Sequence, residues 1–136
     1  KMLASIKCDL RGKDCVIIGA SNIVGRPMAM ELLNAGATVQ VCHKETKDIT
    51  QKSKSADVII AAAGVANLVK SDWVKEGAVI IDVGINRLED GTLAGDVDFD
   101  DVKDKVSAIS PVPGGVGPMT IAVLLENTLP ASQARL

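Results

Sequence analysis

Cys15-Val16-Ile17-Ile18-Gly19-Ala20-Ser21-Asn22-Ile23-Val24-Gly25 reads as a strand, a turn and the start of a helix. The apolar run from Cys15 to Ile18 has no polar alternation, as expected of a strand covered on both faces in a parallel sheet. Gly19 to Gly25 is a tight loop. The helix after it carries Met28, Leu32 and Ala35 at i, i+4 and i+7 on one face and is ended by Gly36. Working outward, Ala37 to Cys42, Val58 to Ala62, Ala78 to Val83 and Val106 to Ile109 read as further strands. Helical segments are expected at Met2 to Ile6, Asp48 to Lys54, Phe99 to Lys105 and Ile121 to Leu129, with a capped helical turn at Ser71 to Val74 and tight turns at Leu10 to Asp14 and Asp90-Gly91. Strands alternating with helices at this spacing imply βαβ units and an α/β, doubly wound parallel sheet with flanking helices, built as a single domain over residues 1–136.

A second stretch, Pro111-Val112-Pro113-Gly114-Gly115-Val116-Gly117-Pro118-Met119-Thr120, packs three prolines and three glycines into ten residues. Such a run cannot form an interior strand or helix. It reads as a shaped turn leaving a strand, with Pro118 near the first position of the next helix. Standing alone it would be a rigid connector. Turns at strand C-termini, however, are where open α/β sheets hold their ligands.

Composition narrows the function classes. Of 136 residues 47% are apolar, enough for a real core, and the net charge of −2 gives no electrostatic footprint for nucleic acid or an anionic membrane. One Trp, one Phe and no Tyr leave no base-stacking platform. No apolar run reaches bilayer length and no signal peptide is read, so a cytoplasmic protein is expected. Cys8, Cys15 and Cys42 are odd in number and two lie in strand-like runs, which fits reduced buried thiols better than a disulfide framework or a metal site. A first residue of Lys rather than Met leads to the expectation of a fragment.

The first turn has the chemistry of an anion cradle. Gly19 permits a tight strand exit, Gly25 lets the helix approach the sheet, and the freed N–H groups at the helix N-terminus suit a phosphate. The spacing departs from G-x-G-x-x-G, because Ser21 stands at the second glycine position, and two such glycines can serve packing alone. The second strand ends in Cys42-His43-Lys44 instead of the Asp or Glu that would bind a ribose 2′-hydroxyl. A cation there favours a 2′-phosphate; a charge-assisted contact is worth roughly 1.5–3 kcal/mol. Solvated loop charges at Lys44 and Lys47 are the plain alternative. Gly64 and Gly84-Ile85 also close strands, so three such positions and the Pro-Gly run converge on one sheet edge. No Ser-His-Asp set, Cys pair or carboxylate pair has catalytic spacing.

Val16 to Pro27, Val41-Cys42-His43, Ile81-Asp82-Val83-Gly84-Ile85-Asn86, Gly95-Asp96-Val97 and Pro111 to Thr120 together resemble the methylenetetrahydrofolate dehydrogenase/cyclohydrolase family, in order and across Asp9 to Leu129. The resemblance implies a Rossmann-like NADP-binding domain and oxidation of 5,10-methylenetetrahydrofolate to the 5,10-methenyl form. Hydrolysis to 10-formyltetrahydrofolate follows in the same site, within one-carbon metabolism and purine biosynthesis. It further implies a separate N-terminal folate-binding domain carrying a Tyr-x-x-x-Lys motif, and a homodimer. This chain has no tyrosine, so no catalytic residue is assigned here and the fragment alone is expected to be inactive.

Carried over by position, Gly19, Ala20 and Ser21 resemble pyrophosphate and ribose contacts, and His43 and Lys44 the 2′-phosphate end. Gly64 lines the cofactor rim, Ile85 and Thr120 resemble contacts near the nicotinamide, and Pro113, Gly114, Gly115, Val116 and Gly117 the wall facing folate. Many members carry Arg at the place of Ala20, which shifts the 2′-phosphate role onto Lys44. Replacing Gly19 by Val is expected to abolish cofactor binding and leave a folded domain. The alternative function is a free-standing, non-catalytic dinucleotide-binding or regulatory module.

Overall fold

The structure, a computed structural model, describes residues 1–134. Its centre is a five-stranded sheet of β1 (Asp14–Ile18), β2 (Thr38–Cys42), β3 (Val58–Ala61), β4 (Val79–Asp82) and a late strand of two residues, Ala108–Ile109. Between the fourth and last strands lies a small antiparallel hairpin, β5 (Asn86–Arg87) with β6 (Leu93–Ala94), so the last strand is β7. The helices are α1 (Met2–Ser5), α2 (Gly25–Asn34), α3 (Ile49–Lys54), α4 (Phe99–Val102) and α5 (Val116–Gln133), with a 3-10 turn at Ser71–Trp73.

All pairings in the main sheet are parallel and the order is β2-β1-β3-β4-β7. The chain therefore winds outward one way from β1 to β2, then returns past β1 to build the other half. The reversal puts a crevice at the C-terminal ends of β1 and β3, the usual ligand position in open α/β sheets. Because every strand points the same way, the loops after Ile18, Cys42, Ala61, Asp82 and Ile109 all leave one edge.

Side chains alternate between two cores, as the two-residue period of a strand requires. Cys15, Ile17, Val58 and Ile60 face α2, where Leu32 is buried and Met28 packs against them. Val16, Ile18, Ile59, Ala61 and Ile80 face the opposite layer, with Ile49 of α3, Trp73 and Val102 of α4. Burial of both sheet faces explains why these strands read as uninterrupted apolar runs.

Several boundaries differ from the sequence reading. The sequence signals the hairpin only by its Asp90-Gly91 turn, because two-residue strands carry too little pattern to register. The last strand is half its expected length, and α4 stops at Val102 instead of Lys105. Ser71 does not cap its turn; its N–H instead donates to Asp101 Oδ2 at 2.8 Å. The Pro-Gly run is partly helical: α5 begins at Val116, with Pro118 in the first turn, where a missing N–H has no intrahelical partner to lose. The helix also continues through Pro130 to Gln133.

At the opposite edge, where the strands start, Asp57 binds three of them together. Asp14 N–H donates to Asp57 Oδ2 (3.0 Å), Asp57 N–H to Asp14 O (2.8 Å), and Val79 N–H to Asp57 O (2.9 Å). Lys75 Nζ donates to Asp57 Oδ1 at 2.6 Å. The Lys75 ammonium first, and the Asp14 N–H second, hold the Asp57 carboxyl below its usual pKa. A folded-state pKa below the unfolded value stabilises the fold above the ordinary carboxylate range, and that contribution is lost as pH falls below about 4. Asp57 is one-quarter exposed, so Asp57→Asn should destabilise the domain by about 1 kcal/mol at pH 7, a fall of roughly 3 °C in Tm. The gap between the variants should narrow as thermal melts move from pH 7 to pH 3; a constant gap would remove the ion pair from the account.

Candidate functional site

The turn between β1 and α2 is built by close approach. Gly19 N–H donates to Cys42 O (2.9 Å), which ties the exit of β1 to that of β2. On its other side Gly19 lies against the carbonyl of Ala62, at the exit of β3, so closely that a Cβ would overlap it. Its φ of +123° is itself poor for any other residue. A Cβ on Gly25 would overlap the Gly19 carbonyl in turn. Ser21 closes the loop: its Oγ accepts Val24 N–H (3.1 Å) and its carbonyl accepts Arg26 N–H (3.1 Å).

This arrangement leaves the N–H groups of Ala20, Ser21, Asn22 and Ile23 without a protein acceptor among the described residues. Four consecutive unpaired donors ahead of a helix N-terminus have the chemistry that an anion such as a pyrophosphate requires. At both glycines a neighbouring carbonyl takes the space that a side chain would need.

The neighbouring loops contribute differently. After β2, His43 N–H donates to Thr46 Oγ1 (2.9 Å), and Glu45 N–H donates to His43 Nδ1 (3.3 Å). With Nδ1 accepting, the neutral ring carries its proton on Nε2, which is then a donor toward solvent or a ligand. Lys44 Nζ is 3.9 Å from Glu45 Oε1, with side chains 90 and 75% exposed, so the ammonium is free to swing to another anion. After β3, the N–H groups of Ala63, Gly64 and Val65 all donate to the Asp96 carboxylate, at 2.5, 2.8 and 3.0 Å. Gly64 thus offers a ligand its open Cα surface and no N–H.

After β4, Ile85 is 63% exposed. It lines a cavity of about 190 Å³ together with Leu93 and the whole run from Pro111 to Pro118. That cavity joins Ile85 to Pro113, Gly114, Gly115, Val116 and Gly117. Thr120 lies one turn into α5, exposed, with its Oγ1 donating to Val116 O (2.9 Å). Its hydroxyl proton is engaged within the helix, and only its lone pairs are open to a ligand. A further cavity, of about 510 Å³, lies at the other edge, among Lys7, Cys8, Lys13, Asp57 and Lys75.

Two residues that the sequence reading quoted without a role, Asp82 and Asp96, are buried beneath these loops at 3 and 0% exposure. Asp82 accepts N–H groups from Gly84 (2.9 Å), Asp96 (3.0 Å) and Val97 (2.9 Å). Burial pushes its carboxyl above the usual pKa, against the pull of those three donors. The signal was present: a carboxylate closing the apolar run Val79-Ile80-Ile81 must find partners when the strand is covered.

An open parallel sheet with a glycine-bounded donor cradle at its switch point defines a dinucleotide-binding α/β domain of the Rossmann type. The family model described as tetrahydrofolate dehydrogenase/cyclohydrolase, NAD(P)-binding domain, matches residues 1–136, and the chain belongs to that family. It is 65% identical over 136 residues to the bifunctional protein FolD of Campylobacter jejuni (strain RM1221), covering all of this chain and 48% of that protein. A crystal structure of the Campylobacter jejuni bifunctional enzyme FolD, methylenetetrahydrofolate dehydrogenase/cyclohydrolase, superposes with a TM-score of 0.97 at 64% identity, over 99% of this chain and 48% of that one. The Trypanosoma brucei enzyme, complexed with NADP cofactor and inhibitor, gives a TM-score of 0.88 at 40% identity, over 94 and 46%. The chain spans about half the length of the curated relatives it matches.

The geometry revises one expectation. Gly19→Val cannot leave the fold untouched, because even a methyl group meets backbone and not a movable side chain. Gly19→Ala should lower Tm by about 5 °C or more, the size expected when a strained φ and a backbone clash together cost 2 kcal/mol or so. Differential scanning calorimetry of the two proteins measures it, and an unchanged Tm would contradict the packed turn.

Proposed function

We propose that this chain is the NADP-binding half of a bifunctional enzyme. The whole protein would oxidise 5,10-methylenetetrahydrofolate to 5,10-methenyltetrahydrofolate and hydrolyse that product to 10-formyltetrahydrofolate, in the one-carbon supply for purine biosynthesis. The observation that carries the reading is the row of four unpaired N–H groups over Gly19 and Gly25 at the switch point of the sheet. Bound there, the dinucleotide supplies the hydride acceptor; the chain supplies position.

In this reading Gly19, Ala20 and Ser21 hold the pyrophosphate and adjoining ribose, with Gly64 as a smooth wall beside them. His43, through Nε2–H, and Lys44 meet the 2′-phosphate. Ile85 and Thr120 border the nicotinamide, and Pro113 to Gly117 form the folate-facing wall of the shared cavity. Hydride transfer between two bound rings requires them stacked within reach, and Ile85 and the Pro-Gly wall lining one cavity suits that demand. No residue here is assigned to proton transfer or water activation, which falls to a folate-binding N-terminal domain.

The last helix supports the existence of that second domain. Ile121, Leu124, Leu125 and Leu129 follow a helical stripe on α5 and are 65–68% exposed. A stripe of four large apolar residues left in water marks an interface. Glu126 on the same helix pairs with Lys1 Nζ at 2.7 Å, so the stripe runs beside the first residue of the chain. A homodimer formed through the sheet edge belongs to the same reading; β2 is the longer of the two free edges of the main sheet. No helix among the described residues is long and apolar enough to cross a membrane, and we place the protein in the cytoplasm.

Calorimetric titration with NADP and NAD at moderate salt tests the cofactor. NADP should bind at least tenfold more tightly than NAD, the size of one charge-assisted contact. Lys44→Glu should abolish that preference by weakening NADP alone; equal losses for both cofactors would refute the 2′-phosphate role.

A further inference from the structure

We propose that Asp96 is a positioning residue for the dinucleotide, acting by filling the nest of N–H groups at the exit of β3 and so fixing the wall against which the β1 turn is packed. The inference rests on the cofactor reading above.

Three successive N–H groups aimed at one point make an anion nest. At Ala63, Gly64 and Val65 the occupant is the protein's own carboxylate. Asp96 Oδ2 accepts from Ala63 and Gly64, while Oδ1 accepts from Val65 and from Asn86 Nδ2 at 2.9 Å. Each oxygen thus takes two donors, and the residue is wholly buried with no cationic partner among the described residues. Only an acceptor on both atoms satisfies this geometry. An amide, although isosteric, would set its NH2 against two N–H donors whichever way it turned.

The site is held from below. Asp96 N–H donates to Asp82 Oδ1 (3.0 Å), and Asp82 N–H donates to Ser110 Oγ (2.8 Å), the residue that precedes the Pro-Gly run. Val69 N–H donates to Asp96 O (2.9 Å) and Asn67 N–H to Gly95 O (3.1 Å), closing the β3 loop over it. Gly84 and Gly95 lie so close to the carboxylates of Asp96 and Asp82 that a Cβ on either would collide with them. The nest is therefore a designed contact between three loops of the ligand edge.

Its consequence runs through Ala62. The carbonyl of Ala62, next to the nest, is the atom that lies against Gly19. Releasing Ala63 to Val65 frees that wall, and the four donors of the β1 turn lose the neighbour that orders them. The part of the ligand affected is the pyrophosphate, which NADP and NAD share. The signature of Asp96 is therefore a loss common to both cofactors, unlike that of Lys44.

The test compares the parent chain with Asp96→Asn and with Asn86→Ala, which removes one donor and leaves the nest. Each is titrated with NADP and NAD, and amide hydrogen exchange is followed at residues 62–65 and in the β1–β3 ladder. Asp96→Asn should weaken both cofactors at least tenfold with their ratio unchanged, and expose the amides of Ala63, Gly64 and Val65 while Val16 and Ile60 stay protected. Asn86→Ala should weaken both about threefold. If Asp96→Asn does not fold, Asn86→Ala decides by the same two readouts. Affinity within twofold of the parent in a folded variant overturns the proposal, as does lost affinity with the amides of residues 63–65 still protected. A parent chain that binds neither cofactor refutes the cofactor reading itself, and this inference with it.

Discussion

The contact between Gly19 and the carbonyl of Ala62 is the constraint on which the ligand edge depends. It allows the exits of β1 and β3 to touch, and it is available only because Gly19 has no side chain and can hold a φ of +123°. From it follow the position of the loop ahead of α2, the closeness of Gly25 to the sheet, and the four N–H groups that have no partner among the described residues. A helix start normally spends such donors on a cap. Here Ser21 satisfies Val24 and Arg26 only, and the donors ahead of them stay open.

The two buried aspartates solve the complementary problem. Loops at the end of a parallel sheet carry polar backbone that the neighbouring strands cannot satisfy. Asp82 and Asp96 take seven N–H donors between them, six of them from backbone, and thereby order the loops after β3, β4 and β6 without a cation among the described residues. The result is a division of labour among neighbouring glycine-bearing turns. The one after β3 is closed by an internal carboxylate, and the one after β1 is left open to an external anion.

The remaining architecture divides by edge. Asp57 and Lys75 fasten the strands where they begin, and the ligand edge is left to loops and the cavity beneath the Pro-Gly run. α5 leaves this body with its apolar stripe in water, in a chain half as long as its relatives.

By itself, the sequence determined the sheet and the family. Runs such as Cys15 to Ile18 and Val58 to Ala61 are apolar at every position because both faces are covered, and that pattern is local and legible. The glycines at 19 and 25 and the Pro-Gly run were legible for the same reason, since backbone demands appear in single residues. Only the tertiary structure decided which loop donors are free. The turns at Gly19 and Gly64 look alike in sequence, but the N–H groups of Ala63, Gly64 and Val65 are taken by a carboxylate more than 30 residues away, while those of Ala20 to Ile23 have no acceptor among the described residues. Hydrogen bonds of that span leave no periodicity in the chain, so the roles of Asp82 and Asp96 became visible only once the sheet had brought the loops together.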